Sequence, residues 1–500
     1  MLPSKLVNAF IVFLGCIAAV NLGSFLSYTG DFGIYLLIIA VPTTLFALAN
    51  NFPLLLAFVV WFPFPLPVPG MKLPLTVPLL ALLGILSLFR VCMTRALSYV
   101  PSCNWWIFAC YAWVPLRFLL KPVTKLGGNF SGGAGISGLT SYFGFISTAG
   151  LILLLGTVIN TREKVIQAVV WSSRLCLFWA VCMLGAAFNP VIHTFFVAVG
   201  GFNAGEIVPG IYRIVQLPGY AYVLLGNAFC PYLFQIKKLK ALRCVLFGLF
   251  CIFLIILGGN RSNLVASLVF LALLLVLNRR VVLGLFVSST LFVILAVSTV
   301  LLQNVSEEQM PGFARILGVF SSHIDDASGG TASANWRYAV WDSGLKKIMD
   351  HPMVGNGFGN LPKHLDPVNT HLTADETDYE VVLAMGEAHN GFITAAYGFG
   401  IPMALGLTLA MAWRVLVHAR AALLQDSRDL ELREFHAFTA AFGAGSFVLI
   451  YSALDLSCVF IWFYISLGFV MTRLTRKQQP APTFGGEKAF YPTLAQYGAN

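Results

Sequence analysis

The sequence predicts an all-α polytopic membrane protein, with about 14 (12–14) transmembrane helices and one large, partly helical loop on the outer side. Three observations carry this. First, 58% of the 500 residues are hydrophobic and 10% are charged, whereas soluble globular chains carry about 25% charged residues. Second, apolar runs recur along the chain, many close to the about 20 residues a helix needs to cross a bilayer. Third, the acidic residues concentrate in a single segment between two such runs. A soluble enzyme, a disordered chain and a secreted disulfide scaffold are excluded on these grounds.

The apolar runs lie at 6–26, 31–49, 52–68, 74–90, 104–120, 141–159, 166–187, 217–235, 242–258, 262–277, 281–302, 391–416, 436–454 and 456–473. The first is too long for a signal-peptide core and another follows almost at once, so it is expected to be retained. The run at 52–68 contains Pro53, Pro63, Pro65 and Pro67 and is expected to be broken or re-entrant. The resulting organisation is a helical membrane bundle over 1–302, an outer loop over 303–390, three last membrane helices over 391–473, and a cytoplasmic tail over 474–500. The connection 121–140 is glycine-rich, and the tail is polar with Pro and Gly.

Charge supports the layout. Segment 303–390 holds 12 acids against five bases (Arg315, Arg337, Lys346, Lys347 and Lys363), a balance of −7; with +10 overall, the rest of the chain is +17. This distribution is that of an acidic insert in a basic membrane body and argues against a nucleic-acid partner. Lysines and arginines such as Arg90, Arg162, Lys237, Lys238, Lys240, Arg279, Arg280, Arg420 and Arg476 fall on one side, which positive-inside bias assigns to the cytoplasm. Both termini are then cytoplasmic and segment 303–390 faces outward. The ten cysteines avoid that segment and show no zinc-site spacing; they read as packing residues in helices.

A structureless connection as long as 303–390 is usually functional. Its sequence SANWRYAVWDSGLKKIMD predicts a helix from Ser333 to Asp350, capped by Ser333 and stopped by Pro352. Trp336, Val340 and Ile348 recur at helical spacing, and Arg337 and Trp341 share a face. Arg337 falls in or just after the first turn, where a cation opposes the helix dipole; an anionic ligand would remove the conflict. A surface ion pair is the competing reading. The segment His351–Asn360 is a glycine-rich turn.

Arg261, in GGNRSN, stands where a helix begins, with Asn260 available to cap it. An arginine at a helix amino terminus makes an anion site; the alternative is an arginine snorkelling to lipid headgroups. His389, in GEAHNGF, enters the next membrane helix. Imidazole titrates near neutrality and suits general-base work, although a hydrogen-bonded loop histidine would look the same. The stretch His364–Glu380 mixes two histidines with Asp366, Asp375, Glu376, Asp378 and Glu380. It lacks a recognised ligand spacing and reads as a solvated acidic face, so no metal or other cofactor is expected.

Together these pieces resemble the O-antigen ligase/polymerase family of bacterial membrane glycosyltransferases, most strongly from about Leu257 to Leu405. GGNRSNLVASLVF is similar to the family's arginine motif, WRYAVWDSGLKKIMDHPMVGNGFGN to its loop helix and Gly-Phe-Gly turn, and EAHNGFITAAYGFGIPMAL to its His-Asn motif. The resemblance implies transfer of a glycan from an undecaprenyl-pyrophosphate carrier to an acceptor sugar hydroxyl, at the periplasmic face of the inner membrane. The acceptor would be another lipid-linked glycan in a polymerase or lipid A-core in a ligase; a surface-polysaccharide polymerase (O-antigen or exopolysaccharide) is the favoured expectation. Arg261 and Arg337 would bind pyrophosphate, His389 would deprotonate the acceptor, and Trp336 and Trp341 would stack on sugars. The transfer is expected to be inverting and metal-independent. A lipid-linked oligosaccharide flippase is the alternative from another class, but the chain lacks the internal repeat usual in transporters.

Overall fold

The computed structural model describes residues 51–61, 65–68, 71–74, 105–120, 134–194, 206–208, 211–212, 217–235, 241–258, 261–302, 330–359, 379–386, 388–425, 429–452, 454, 456 and 458–478. The runs at 6–26 and 31–49 lie outside them, as do all but Pro74 of the run at 74–90, most of the 121–140 connection, Asn260, most of the acidic stretch His364–Glu380, and the tail after 478.

The described chain is helical: α1 (Phe52–Trp61), α2 (Trp105–Leu120), α3 (Ala134–Val158), α4 (Arg162–Phe188), α5 (Leu217–Phe229), α6 (Ala241–Leu257), α7 (Arg261–Leu277), α8 (Val281–Leu302), α9 (Gly330–Asp350), α10 (Tyr379–Met385), α11 (Gly391–Phe399), α12 (Ile401–Leu424), α13 (Leu430–Ser452) and α14 (Val459–Gln478). Two short antiparallel hairpins interrupt it: β1 (Pro65–Val68) with β2 (Met71–Pro74), and β3 (Glu206–Val208) with β4 (Ile211–Tyr212). The helical fold class holds, with these two short hairpins set between helices. The first hairpin is where the proline-rich run breaks: α1 stops at Trp61, and Pro65 pairs with Pro74 at the end of an isolated ladder, where a missing N–H is tolerated.

Three helices, α4, α12 and α13, are long and apolar enough to cross a membrane, with shorter apolar stretches in α1, α2, α3, α6, α7 and α14. This composition is that of a membrane protein. A total of about 14 spans is not reached among the described residues. The hydropathy runs overcounted length in two places: 52–68 ends in the hairpin, and 391–416 is divided at Gly400 into α11 and α12. Gly400 adopts φ +95 and its amide bonds back to Ala396, a conformation that favours glycine.

Two apolar cores organise the bundle. One gathers α1, α4, α5, α6, α7 and α13 with one face of α14. The other gathers α2, α3, α9, α10, α11 and α12 with the remaining face of α14. α7 and α13 pack antiparallel at close range. Arg280, just beyond α7, pairs with Glu434 near the start of α13 at 3.4 Å, and farther along Gly445 lies against Ala266 and Phe270. Only a glycine fits there, since a Cβ would come within 2.9 Å of the Ala266 carbonyl oxygen. The end of the bundle that holds Glu434 is polar: Arg162 donates to Asp429 at 2.6 and 2.7 Å and to Glu431 at 3.0 and 3.2 Å. The opposite end, where α7 begins and α13 finishes, carries the residues singled out in the sequence.

Candidate active site

α9 begins at Gly330, three residues before the expected start. Ser333 is thus inside the helix and is not its cap. Arg337 moves correspondingly inward, to the third turn, beyond the first turn over which the helix dipole acts. What fixes α9 is its apolar stripe. Val340 and Ile348 are buried, and Gly344 between them faces Ile393 of α11 and Leu383 of α10, at 2.8 and 3.1 Å from where a Cβ would stand. The outer face is solvated and carries the i,i+4 pair Asp342–Lys346 at 2.6 Å. The helix ends at Asp350, ahead of Pro352, as expected.

The glycine-rich turn then locks α9 to α11. Gly355, Gly357 and Gly359 adopt φ of +72, +76 and +75. Asn356 donates its side-chain amide to Lys347 O at 2.9 Å, closing the end of α9. The turn's amides run onto α11: Asn356 N to Tyr397 O at 2.6 Å and Gly357 N to Gly398 O at 3.1 Å. Phe358 is fully buried and packs edge-on against Tyr142 and Phe399, at 5.5 and 5.3 Å between ring centroids. α9 and α11 therefore lie side by side, joined by backbone hydrogen bonds at one end.

At the other end stands His389. α10 stops at Gly386 (φ +79), and Ala388 O accepts the Trp341 Nε1–H at 2.8 Å. Asn390 is the N-cap of α11, its Oδ1 accepting from the amides of Phe392 and Ile393 at 3.1 Å each. His389 itself sits at φ +51. A left-handed backbone at a non-glycine residue is uncommon and strained, and such strain clusters at functional sites. The residue is exposed, and its ring lies 5.8 Å from the Trp336 ring. Surrounding protein, and then the charge of Arg337, hold its pKa below the ordinary 6.5; both disfavour the imidazolium.

Arg337 is half-buried and donates Nη1–H to Ser452 O, the last residue of α13, at 3.3 Å. Trp341 packs on Tyr451 at 5.4 Å between centroids. The structure thus brings four of the five expected residues, Arg337, Trp336, Trp341 and His389, into one cluster. Arg261 is the first residue of α7, as the sequence implied. Because α7 and α13 run antiparallel, Arg261 comes at the same end of the bundle as Ser452. Trp336 and Trp341 are each partly packed into the apolar core, and the indole N–H of Trp341 is already engaged by Ala388, so their role in sugar stacking is restricted to their open faces. Residues that sequence reading passed over include Arg117, Tyr451 and Ser452. Arg117 had a signal, being a charge inside the run 104–120.

The described residues hold no group of three or more His, Cys, Asp or Glu suited to a metal ion. Six cysteines, Cys110, Cys176, Cys182, Cys230, Cys251 and Cys458, are free thiols within helices or their ends. Residues 246–408 match a family model described as O-antigen ligase. A comparison with curated proteins returned no match. The matched segment contains Arg261, Trp336, Arg337, Trp341 and His389, and it supports the O-antigen ligase/polymerase family read from those same motifs.

Proposed function

We propose that the protein is a glycosyltransferase of surface-polysaccharide assembly, because residues 246–408, which match a family model described as O-antigen ligase, carry this cluster. It moves a glycan from an undecaprenyl-pyrophosphate carrier to an acceptor sugar hydroxyl, at the periplasmic face of the bacterial inner membrane. The observation that carries the reading is the placement of His389, strained and exposed, beside Arg337. The pair supplies two complementary demands of such a transfer. A sugar hydroxyl must lose its proton as its oxygen attacks the anomeric carbon, and a neutral imidazole accepts it. The bond from that carbon to the pyrophosphate oxygen breaks, and fixed cations stabilise the departing charge. We assign this role to Arg337 and also to Arg261, which begins α7 at the same end of the bundle. One displacement of this kind inverts the anomeric configuration, and with two guanidiniums at the leaving group a divalent metal is not required.

Between the two acceptor types, a polymerase of O-antigen or exopolysaccharide is the reading carried forward. Purified protein in lipid nanodiscs, supplied with a lipid-linked repeat unit alone, should form a ladder of polymer, and excess chelator should leave the yield unchanged. A single product that forms only when lipid A-core is added would make it a ligase. No transfer to either acceptor, with movement of donor across vesicles instead, would replace the enzyme by a flippase.

A further inference from the structure

Arg117, near the end of α2, is 6% exposed. Its Nε donates to Val354 O and its Nη2 to Gly355 O, both at 2.9 Å. Trp113, one helical turn earlier, donates Nε1–H to Phe399 O at 3.0 Å. Both of these hydrogen-bond acceptors are neutral carbonyls, the Tyr142 hydroxyl feels the same charge, and the guanidinium acts as a fork aimed at a turn. Val354 and Gly355 belong to the turn that ends α9, and Phe399 is the last residue of α11. One face of α2 thus grips the closed ends of both helices whose open ends carry Arg337 and His389. Arg117 lies outside the segment matched by the family model, which begins at residue 246.

We propose that Arg117 is a positioning residue for the transfer: it sets the register of α9 against α11, and through it the placement of Arg337 relative to His389. The proposal rests on the reaction proposed above. α11 has nine residues, about 13 Å at 1.5 Å per residue, so displacement at the clamped end is carried to the other end by a short rigid rod. Between the two ends the helices touch through the apolar contact of Gly344 with Ile393, and the Trp341–Ala388 hydrogen bond at the far end passes any shift of α9 on to the segment that holds His389. A misplacement of about 1 Å costs on the order of 10²-fold in rate. Lysine at 117 keeps the charge but loses the two-pronged geometry.

The test follows the His389 ring directly. Among the described residues the charge acting on that ring is Arg337, on α9. Full-length protein in nanodiscs, with ring-labelled histidine, is titrated by NMR as wild type, Arg117→Lys, Arg117→Ala, Arg337→Gln and the Arg117→Lys/Arg337→Gln double variant. The His389 signal is assigned by its loss in His389→Gln. In Arg117→Lys the His389 pKa should rise toward the ordinary value, because Arg337 no longer sits in register. Turnover per folded molecule should fall about 10–100-fold with donor KM little changed. In the Arg337→Gln background, Arg117→Lys should move the titration no further. If Arg117→Ala does not fold, Arg117→Lys carries the test. An unmoved His389 titration in a folded Arg117→Lys protein would overturn the proposal, as would a shift that persists without Arg337. A shifted titration with unchanged transfer would also overturn it, since Arg117 would then set the contact without serving the transfer; the role of His389 itself is read separately from His389→Ala.

Discussion

Gly398→Ala should destabilise the α9–α11 junction by a magnitude the packing sets. A Cβ at this position overlaps Cζ of Phe358, stands 2.5 Å from Cε2 and 3.0 Å from Cε1. The ring cannot swing away cheaply. Phe358 is fully buried, with Tyr142 and Phe399 edge-on against it and Tyr397 at 6.4 Å. Overpacking a closed core costs about 1–3 kcal/mol, which is about 5–150-fold in the equilibrium between docked and open turn. Thermal unfolding in nanodiscs, followed by tryptophan fluorescence, reads the loss. Limited proteolysis at the turn reads local opening. Phe358→Leu alone should also destabilise, by emptying the ring's place, but in the Gly398→Ala background it should recover part of the loss. The two changes would then be strongly coupled. Independent sites add to within about 0.3–0.5 kcal/mol. Simple additivity, or a Gly398→Ala protein as stable as wild type, would refute the claim that Phe358 is locked between the turn and α11.

Three further outcomes are expected. Asn390→Ala removes the acceptor for the amides of Phe392 and Ile393 and should cost about 0.5–2 kcal/mol in thermal stability, with Asn390→Asp close to wild type. Arg162→Ala breaks the links to Asp429 and Glu431, whose side chains are about a third exposed; solvent screening limits the loss to about 0.2–1 kcal/mol, and the difference from wild type in a denaturation series should shrink at high salt. The pH–rate profile should report His389. Its pKa lies below 6.5, so the neutral base persists to lower pH than in an ordinary histidine, and turnover falls only as pH drops through that lowered value. Arg337→Gln removes one depressing influence, and the acid limb of the residual activity should move to higher pH.

Much of this arrangement was legible in the sequence because local rules dominate it. Apolar runs such as 141–159, 166–187 and 436–454 are helices, Pro352 follows the end of α9, and three glycines in PMVGNGFGN supplied three positive-φ turn residues. The Arg261 start of α7 was legible for the same reason. Other features depend on distant neighbours. Ser333 looked like a cap, but the helix runs back to Gly330, and a residue's capping geometry depends on the backbone before it. His389 gave no sign of its left-handed backbone, which the sharp passage from Gly386 to the Asn390 cap imposes. The Trp341–Ala388 and Arg337–Ser452 bonds join residues 47 and 115 positions apart, beyond the reach of periodicity. Arg117 was visible as a charge in an apolar run, yet its partners are backbone carbonyls more than 200 residues away, and a carbonyl leaves no mark in side-chain chemistry.

The central claim is that His389 takes the acceptor's proton while the arginines hold the pyrophosphate. It is tested most directly by single-turnover transfer from a radiolabelled undecaprenyl-pyrophosphate glycan, with His389→Ala compared with wild type at saturating donor. The account predicts loss of bond formation by about 10²–10⁴-fold, with donor binding preserved and, in the wild-type product, an inverted anomeric centre. Near-normal transfer by His389→Ala, or retention of configuration, would contradict it.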